Sequence, residues 1–177
     1  MNLPNLITSL RCALAFVVVF AYIEGSELGK IIAIASFCIA AISDWLDGFL
    51  ARKYNLITNF GKLMDPLADK ILIAGALIAL CAESLIPVWA TFLILFREFA
   101  VSGLRQIASD QGITLAADNW GKIKTVLQLV IIFFIMCVGN MEQFTTLSSS
   151  LIYLMTIVTI YSGLRYFWGN RQLFSKI

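Results

Sequence analysis

Apolar residues fill six stretches of the chain, and the polar residues within them gather at one end of each. The stretches run roughly over 4–23, 30–52, 61–82, 87–108, 119–139 and 149–168. Each is close to the length of about 20 residues that an α-helix needs to cross a bilayer. The segments between them carry turn chemistry: EGSELG, KYNLITNFG, ESLIP, SDQGITLAADN and GNMEQFTTLSSS. Pro87 suits the first position of a helix, where no amide donor is required. The pattern predicts an all-α integral membrane protein of six transmembrane helices, forming one membrane-embedded domain over residues 1–177.

The polar end alternates. It is N-terminal in the first stretch (Asn5, Thr8, Arg11) and C-terminal in the second (Asp44, Asp47, Arg52). It is N-terminal again in the third (Lys62, Asp65, Asp69, Lys70), and C-terminal in the fourth (Arg97, Glu98, Arg105). The fifth is polar at its start (Lys122, Lys124) and the sixth at its end (Arg165, Arg171). Spans that run up and down bring all these ends to one side of the membrane. Twelve of the 13 Lys and Arg fall there, and only Lys30 falls opposite. The excess of basic residues predicts that this side, both termini included, is cytoplasmic. The opposite loops carry Glu24, Glu27, Glu83 and Glu142.

Composition narrows the chemistry. Hydrophobic residues make up 60% of the chain, which favours a membrane domain over a soluble core. There is no histidine, so imidazole bases and His-ligated zinc are excluded. The four cysteines (Cys12, Cys38, Cys81, Cys137) stand singly in apolar runs and read as buried small hydrophobes. The N-terminus lacks a basic stretch ahead of its apolar run, and Arg11 interrupts that run, so it does not read as a signal peptide. The four tryptophans near segment ends read as interfacial anchors. Tyr161 and Tyr166 receive no role.

Four aspartates stand out. A carboxylate at the centre of a membrane helix costs about 2.5–3.5 kcal/mol, so four unpaired ones near the interface would cost roughly 5–10 kcal/mol. Asp44 and Asp47 are three residues apart, and Asp65 and Asp69 four apart, so each pair shares a helix face. The short turn between their segments predicts antiparallel neighbours with the two pairs at similar depth. Oxygen ligands of this kind suit a hard cation, Mg²⁺ or Mn²⁺, and four carboxylates suffice for two ions. Gly48 and Gly61 leave the backbone open to a ligand near Asp47 and Asp65. Arg52 is within reach of a phosphate. Such a site, at the lipid surface, fits a phosphorylated lipid. Two alternatives stay open: simple ion pairing with neighbouring Arg and Lys, and an ion-coupled transporter. Against the latter, the acids cluster at one end of the segments.

The run Asp44-x2-Asp47-Gly48-x2-Ala51-Arg52-x8-Gly61-x3-Asp65-x3-Asp69 resembles the full signature of the CDP-alcohol phosphatidyltransferases. The resemblance covers essentially the whole chain. It implies a six-helix bundle with a polar cavity at its cytoplasmic side. Asp44, Asp47, Asp65 and Asp69 would be metal ligands for two Mg²⁺ or Mn²⁺ ions, with Asp69 also the general base. Gly48, Ala51, Arg52 and Gly61 would line the CDP-diacylglycerol site, joined by Asn5 and Thr8 at the nucleotide. NLPNLITSLR at the start, REFAVSGLRQ at 97–106 and GKIKT at 121–125 resemble the branch that uses sn-glycerol 3-phosphate as acceptor and releases CMP. That acceptor is a dianion, so its pocket should be basic; Arg97, Arg105, Lys122 and Lys124 are the candidates, with topology or lipid headgroup contact as the plainer reading of each. Glu98 is expected to pair with a nearby base. Inositol phosphate, serine or phosphatidylglycerol would be the acceptor in other branches. The resemblance further implies a homodimer. Membrane lipid, and no nucleic acid, is expected among the partners. A bacterial plasma membrane is the expected location.

Overall fold

A computed structural model of the chain describes the backbone of residues 3–54, 59–113, 115, 119–139 and 141–172, and the side chains within these except 3–5, 44–54, 59–63, 65, 66 and 119. Six α-helices follow one another: α1 (Leu3–Ile23), α2 (Glu27–Tyr54), α3 (Asn59–Ala82), α4 (Val88–Asp110), α5 (Asn119–Val138) and α6 (Thr145–Gly169). A 3₁₀ turn, Glu142–Phe144, leads into α6, and no strand occurs among the described residues. All six apolar stretches are therefore helices, with ends shifted by four residues at most.

The breaks have local causes. Gly25 (φ +82°) and Gly112 (φ +71°) adopt the left-handed conformation after α1 and α4. After α4 the Ile113 amide turns back to the Ala108 carbonyl at 2.8 Å, which closes the helix end. Pro87 sits one residue outside α4 rather than at its first position. Its ψ of 145° is extended, and its carbonyl accepts the Ala90 and Thr91 amides at 3.0 and 3.2 Å.

The chain divides into two compact units. The first comprises residues 1–86 and 132–140. In it α1 packs along both α2 and α3, which touch one another only briefly among the described residues. The antiparallel α2–α3 pairing expected from the short turn falls on the stretch around 44–66, most of whose side chains lie outside the described residues. Ala15 and Val18 of α1 and Ala68, Ala76 and Ala79 of α3 are all buried, and α1 comes close to α3 at Gly75, where an added methyl would lie 2.9 Å from Val19 Cγ2 and 3.6 Å from the Ala15 carbonyl oxygen. Close backbone approach of this kind is how helices associate where lipid removes the hydrophobic drive. Tyr22, fully buried, donates its hydroxyl to the Met136 carbonyl at 3.3 Å.

The second unit comprises residues 87–131 and 141–177. Along α4 the buried positions are Ala90, Thr91, Ile94, Val101, Leu104 and Ala108. Along α6 they include Ile152, Met155, Thr159, Ser162, Gly163 and Tyr166. Both sets follow the helical repeat and form one stripe per helix. Val101, Leu104, Ala108 and Tyr166 make one cluster, with Ile113, Leu115 and Phe167 packed on it.

The outward faces are apolar. Phe16, Phe20, Phe92, Ile157 and Leu164 are all more than half exposed, the reverse of a water-soluble surface. Among the described residues, three helical stretches are long and apolar enough to cross a membrane: Leu6–Ile23, Trp120–Val138 and Glu142–Gly169. The chain is a membrane protein. Helix α4 falls short by composition, because Arg97, Glu98 and Arg105 stand among its residues.

Candidate active site

Helices α2 and α3 carry the acidic signature. Asp44 and Asp47 lie one turn apart in the C-terminal half of α2, and Asp65 and Asp69 one turn apart near the start of α3. The side chains of Asn5, Asp44, Asp47, Gly48, Ala51, Arg52, Gly61 and Asp65 lie outside the described residues. Asp69 is described. Its carboxylate is 45% exposed and stands 3.9 Å from the Arg11 guanidinium, which is 1% exposed. Thr8, one turn before Arg11 on α1, is fully buried. A carboxylate with an open edge and a buried arginine behind it is suited to bind a cation or to accept a proton. Arg11 received no site role from the sequence. The signal available was a guanidinium inside an apolar run, where a charge needs a fixed partner.

The second unit holds a basic cluster. Arg97 donates from Nη1 to the Glu98 carboxylate at 3.1 Å and from Nη2 to the Ser162 hydroxyl at 2.8 Å. The Lys124 ammonium is 2% exposed and also pairs with Glu98. One carboxylate is thus shared by two cations. Lys122 points outward and is exposed. The separation follows from the helical repeat: positions two apart on α5 lie on different faces, so only one of the two lysines can turn inward. Arg105, exposed, donates from Nε to the Tyr166 hydroxyl at 3.0 Å and lies over its ring at 5.3 Å from the centroid. Of the four basic candidates, the structure therefore joins Arg97 and Lys124 through Glu98. It sets Arg105 on Tyr166 and leaves Lys122 outside the cluster.

Aromatic side chains flank this region. Trp120 meets Tyr161 edge-on, with centroids 5.1 Å apart, and Arg165 lies over the Trp120 ring at 5.8 Å. Near the end of α6 a hollow of about 660 Å³ is bordered by Tyr161, Arg165, Tyr166 and Trp168. Neither Tyr161 nor Tyr166 showed a role in the sequence, because their partners lie on other helices.

Residues 1–161 match the family described as CDP-alcohol phosphatidyltransferase. The chain belongs to the CDP-alcohol phosphatidyltransferase family. A Bacillus subtilis protein named "CDP-diacylglycerol--glycerol-3-phosphate 3-phosphatidyltransferase" is 37% identical, over 96% of this chain and 95% of its own length. A Rickettsia bellii protein of the same name is 33% identical, over 98% and 97%. A Mycobacterium tuberculosis protein named "Probable phosphatidylglycerophosphate synthase" is 36% identical, over 97% and 86%. Membership in the CDP-alcohol phosphatidyltransferase family agrees with the signature of aspartates on α2 and α3. It gives no partner for the Arg97–Glu98–Lys124 cluster, which the geometry of α4, α5 and α6 defines.

Proposed function

We propose that the chain transfers the phosphatidyl group of CDP-diacylglycerol to sn-glycerol 3-phosphate, giving phosphatidylglycerophosphate and CMP. The observation that carries this reading is similarity over nearly the whole chain to relatives that bear this activity in their names. The whole chain acts as one catalytic domain.

Asp69 takes the proton of the acceptor hydroxyl. The acceptor oxygen then attacks the phosphorus that carries diacylglycerol, and the bond from that phosphorus to the bridging oxygen breaks. CMP leaves with that oxygen. Arg11, 3.9 Å behind Asp69, holds the carboxylate in orientation. An aspartate is a weak base at neutral pH, so positioning and electrostatics supply most of the rate. Asp44, Asp47, Asp65 and Asp69 form an all-oxygen donor set, and the exposed edge of Asp69 fits it; two Mg²⁺ or Mn²⁺ ions held there would neutralise charge on the diphosphate and on the departing CMP. Gly48, Ala51, Arg52 and Gly61 line the CDP-diacylglycerol site, with Asn5 and Thr8 toward the nucleotide.

The acceptor phosphate is a dianion and is drawn to Arg97, Arg105, Lys122 and Lys124. Because Glu98 already engages Arg97 and Lys124, a bound phosphate shares these cations with it. Lys124 is too buried to lead an encounter and acts by holding Glu98 in place. Lys122 and Arg105, both exposed, meet the acceptor first. All six helices span the membrane, with both termini and a polar cavity on the cytoplasmic side of a bacterial plasma membrane, and the chain works as a homodimer.

CMP release by the purified protein in detergent tests the reading. The mixture holds CDP-diacylglycerol and Mg²⁺ or Mn²⁺, with and without glycerol 3-phosphate, beside Asp69→Asn and a chelator control. Release should need glycerol 3-phosphate, stop with chelator and resume on adding metal. It should fall by about a thousandfold or more in Asp69→Asn. Release with serine, inositol phosphate or phosphatidylglycerol instead would move the acceptor. No release with any of them from folded protein would sink the enzyme reading.

A further inference from the structure

Arg97 is held in part by a helix distant in sequence. Its Nη2 reaches Ser162 across 65 residues of chain. Its stem lies against α6 where residue 163 has no side chain. A methyl built on Gly163 would stand 2.8 Å from Arg97 Cγ, 3.5 Å from Nε and 3.7 Å from Cδ. The first distance is shorter than side chains tolerate, and Cγ is the middle of the side chain rather than its mobile end. Gly163 therefore leaves a slot that the arginine stem fills. Glu98 closes the other side of the guanidinium at 3.1 Å. The Nε–H is buried and has no hydrogen-bond partner among the described residues. A guanidinium whose Nη1 and Nη2 are each fixed by one partner keeps a second N–H on each for an anion, and its orientation is set before that anion arrives.

We propose that Ser162 and Gly163 of α6 are positioning residues that seat Arg97 for the phosphate of the acceptor, and so set the affinity for a phosphorylated acceptor. The inference rests on the reading of Arg97 as an acceptor-phosphate residue. An arginine unbound along its stem samples many rotamers, and each must be given up on binding. The slot at Gly163 and the Ser162 hydroxyl remove that freedom before the ligand arrives, which is the general advantage of preorganisation. Neither residue touches the reacting atoms. Their effect should fall on acceptor binding and leave the chemical step alone.

The test is steady-state CMP release by the full-length protein in mixed micelles, with glycerol 3-phosphate and CDP-diacylglycerol varied in turn. Arg97→Gln should raise KM for glycerol 3-phosphate, which establishes the reference. Ser162→Ala should raise the same KM about tenfold, the size expected for losing one hydrogen bond made by a charged group, with kcat and KM for CDP-diacylglycerol within about twofold. Gly163→Ala should raise it by a similar factor. Gly169→Ala is the control on the same helix, since nothing lies within 4 Å of the added methyl, and it should change neither constant. Ser162→Thr keeps the hydroxyl and should restore most of the affinity. On the Arg97→Gln background, Gly163→Ala and Ser162→Ala should add little, because they act through the arginine.

Absence of glycerol 3-phosphate-dependent release from the wild-type protein would overturn the proposed function, and this inference with it. An unchanged KM in Arg97→Gln would leave the reaction standing but remove the acceptor role of Arg97. A raised KM in Arg97→Gln, with Ser162→Ala unchanged or fully multiplicative, would overturn the seating inference alone. Should Gly163→Ala fail to fold, the serine variants decide.

Discussion

Replacing Glu98 by Gln should destabilise the protein more than any exposed charge change. Glu98 is 14% exposed and pairs with Lys124, which is 2% exposed, and with Arg97, which is 11% exposed. Removing one partner of a buried pair costs about 3–5 kcal/mol, because the other charge loses its closest compensation. Glu98 is not fully enclosed, and Arg97 retains Ser162, so a loss of about 2–4 kcal/mol is expected. For a chain of this length that corresponds to a fall in melting midpoint of roughly 5–15 °C. Differential scanning fluorimetry in detergent measures it. Glu98→Gln combined with Lys124→Met removes the carboxylate and the more buried of its two cations and should recover much of the loss, since an apolar side chain of similar volume suits the buried site. Acceptor affinity should not recover with it. A single variant that melts within about 2 °C of the wild type would refute the claim that the pair is buried in the folded protein. So would a double variant no more stable than the single one.

Two further predictions follow from packing. Gly75→Ala places a methyl 2.9 Å from Val19 Cγ2 and should cost about 1–3 kcal/mol by forcing α1 from α3; adding Val19→Ala should restore the melting midpoint, and no recovery would count against this close approach. Tyr166→Phe loses only the hydroxyl that accepts from Arg105 and should cost about 1 kcal/mol, whereas Tyr166→Ala also opens the cluster with Val101, Leu104 and Ala108 and should cost about 3–5 kcal/mol. Equal losses in the two variants, read from thermal melts, would show that the ring does not pack there.

The helices were legible in the sequence because each contact that makes a helix is local. The apolar stretches, the turn residues and the aspartate spacings all speak within a few residues of themselves. Pro87 shows the limit of that signal. Its ring fixes φ, but whether it stands inside or just outside α4 depends on ψ, here 145°. The spacing of Lys122 and Lys124 required that they face different ways. Which of them turned inward depended on where Glu98 lay, 26 residues earlier than Lys124.

By itself, the sequence determined a membrane protein of six helices, the two aspartate pairs on α2 and α3, and the family resemblance borne by their spacing. These are properties of short stretches and survive any arrangement of the helices. The tertiary structure alone decided which charges meet. It packed α1 along both α2 and α3, put Arg11 beside Asp69, gave Glu98 to Arg97 and Lys124 together, and laid the Arg97 stem in the slot at Gly163. The physical reason is that a side-chain pairing depends on distance and on burial, and both are set by helices far apart in the chain packing side by side.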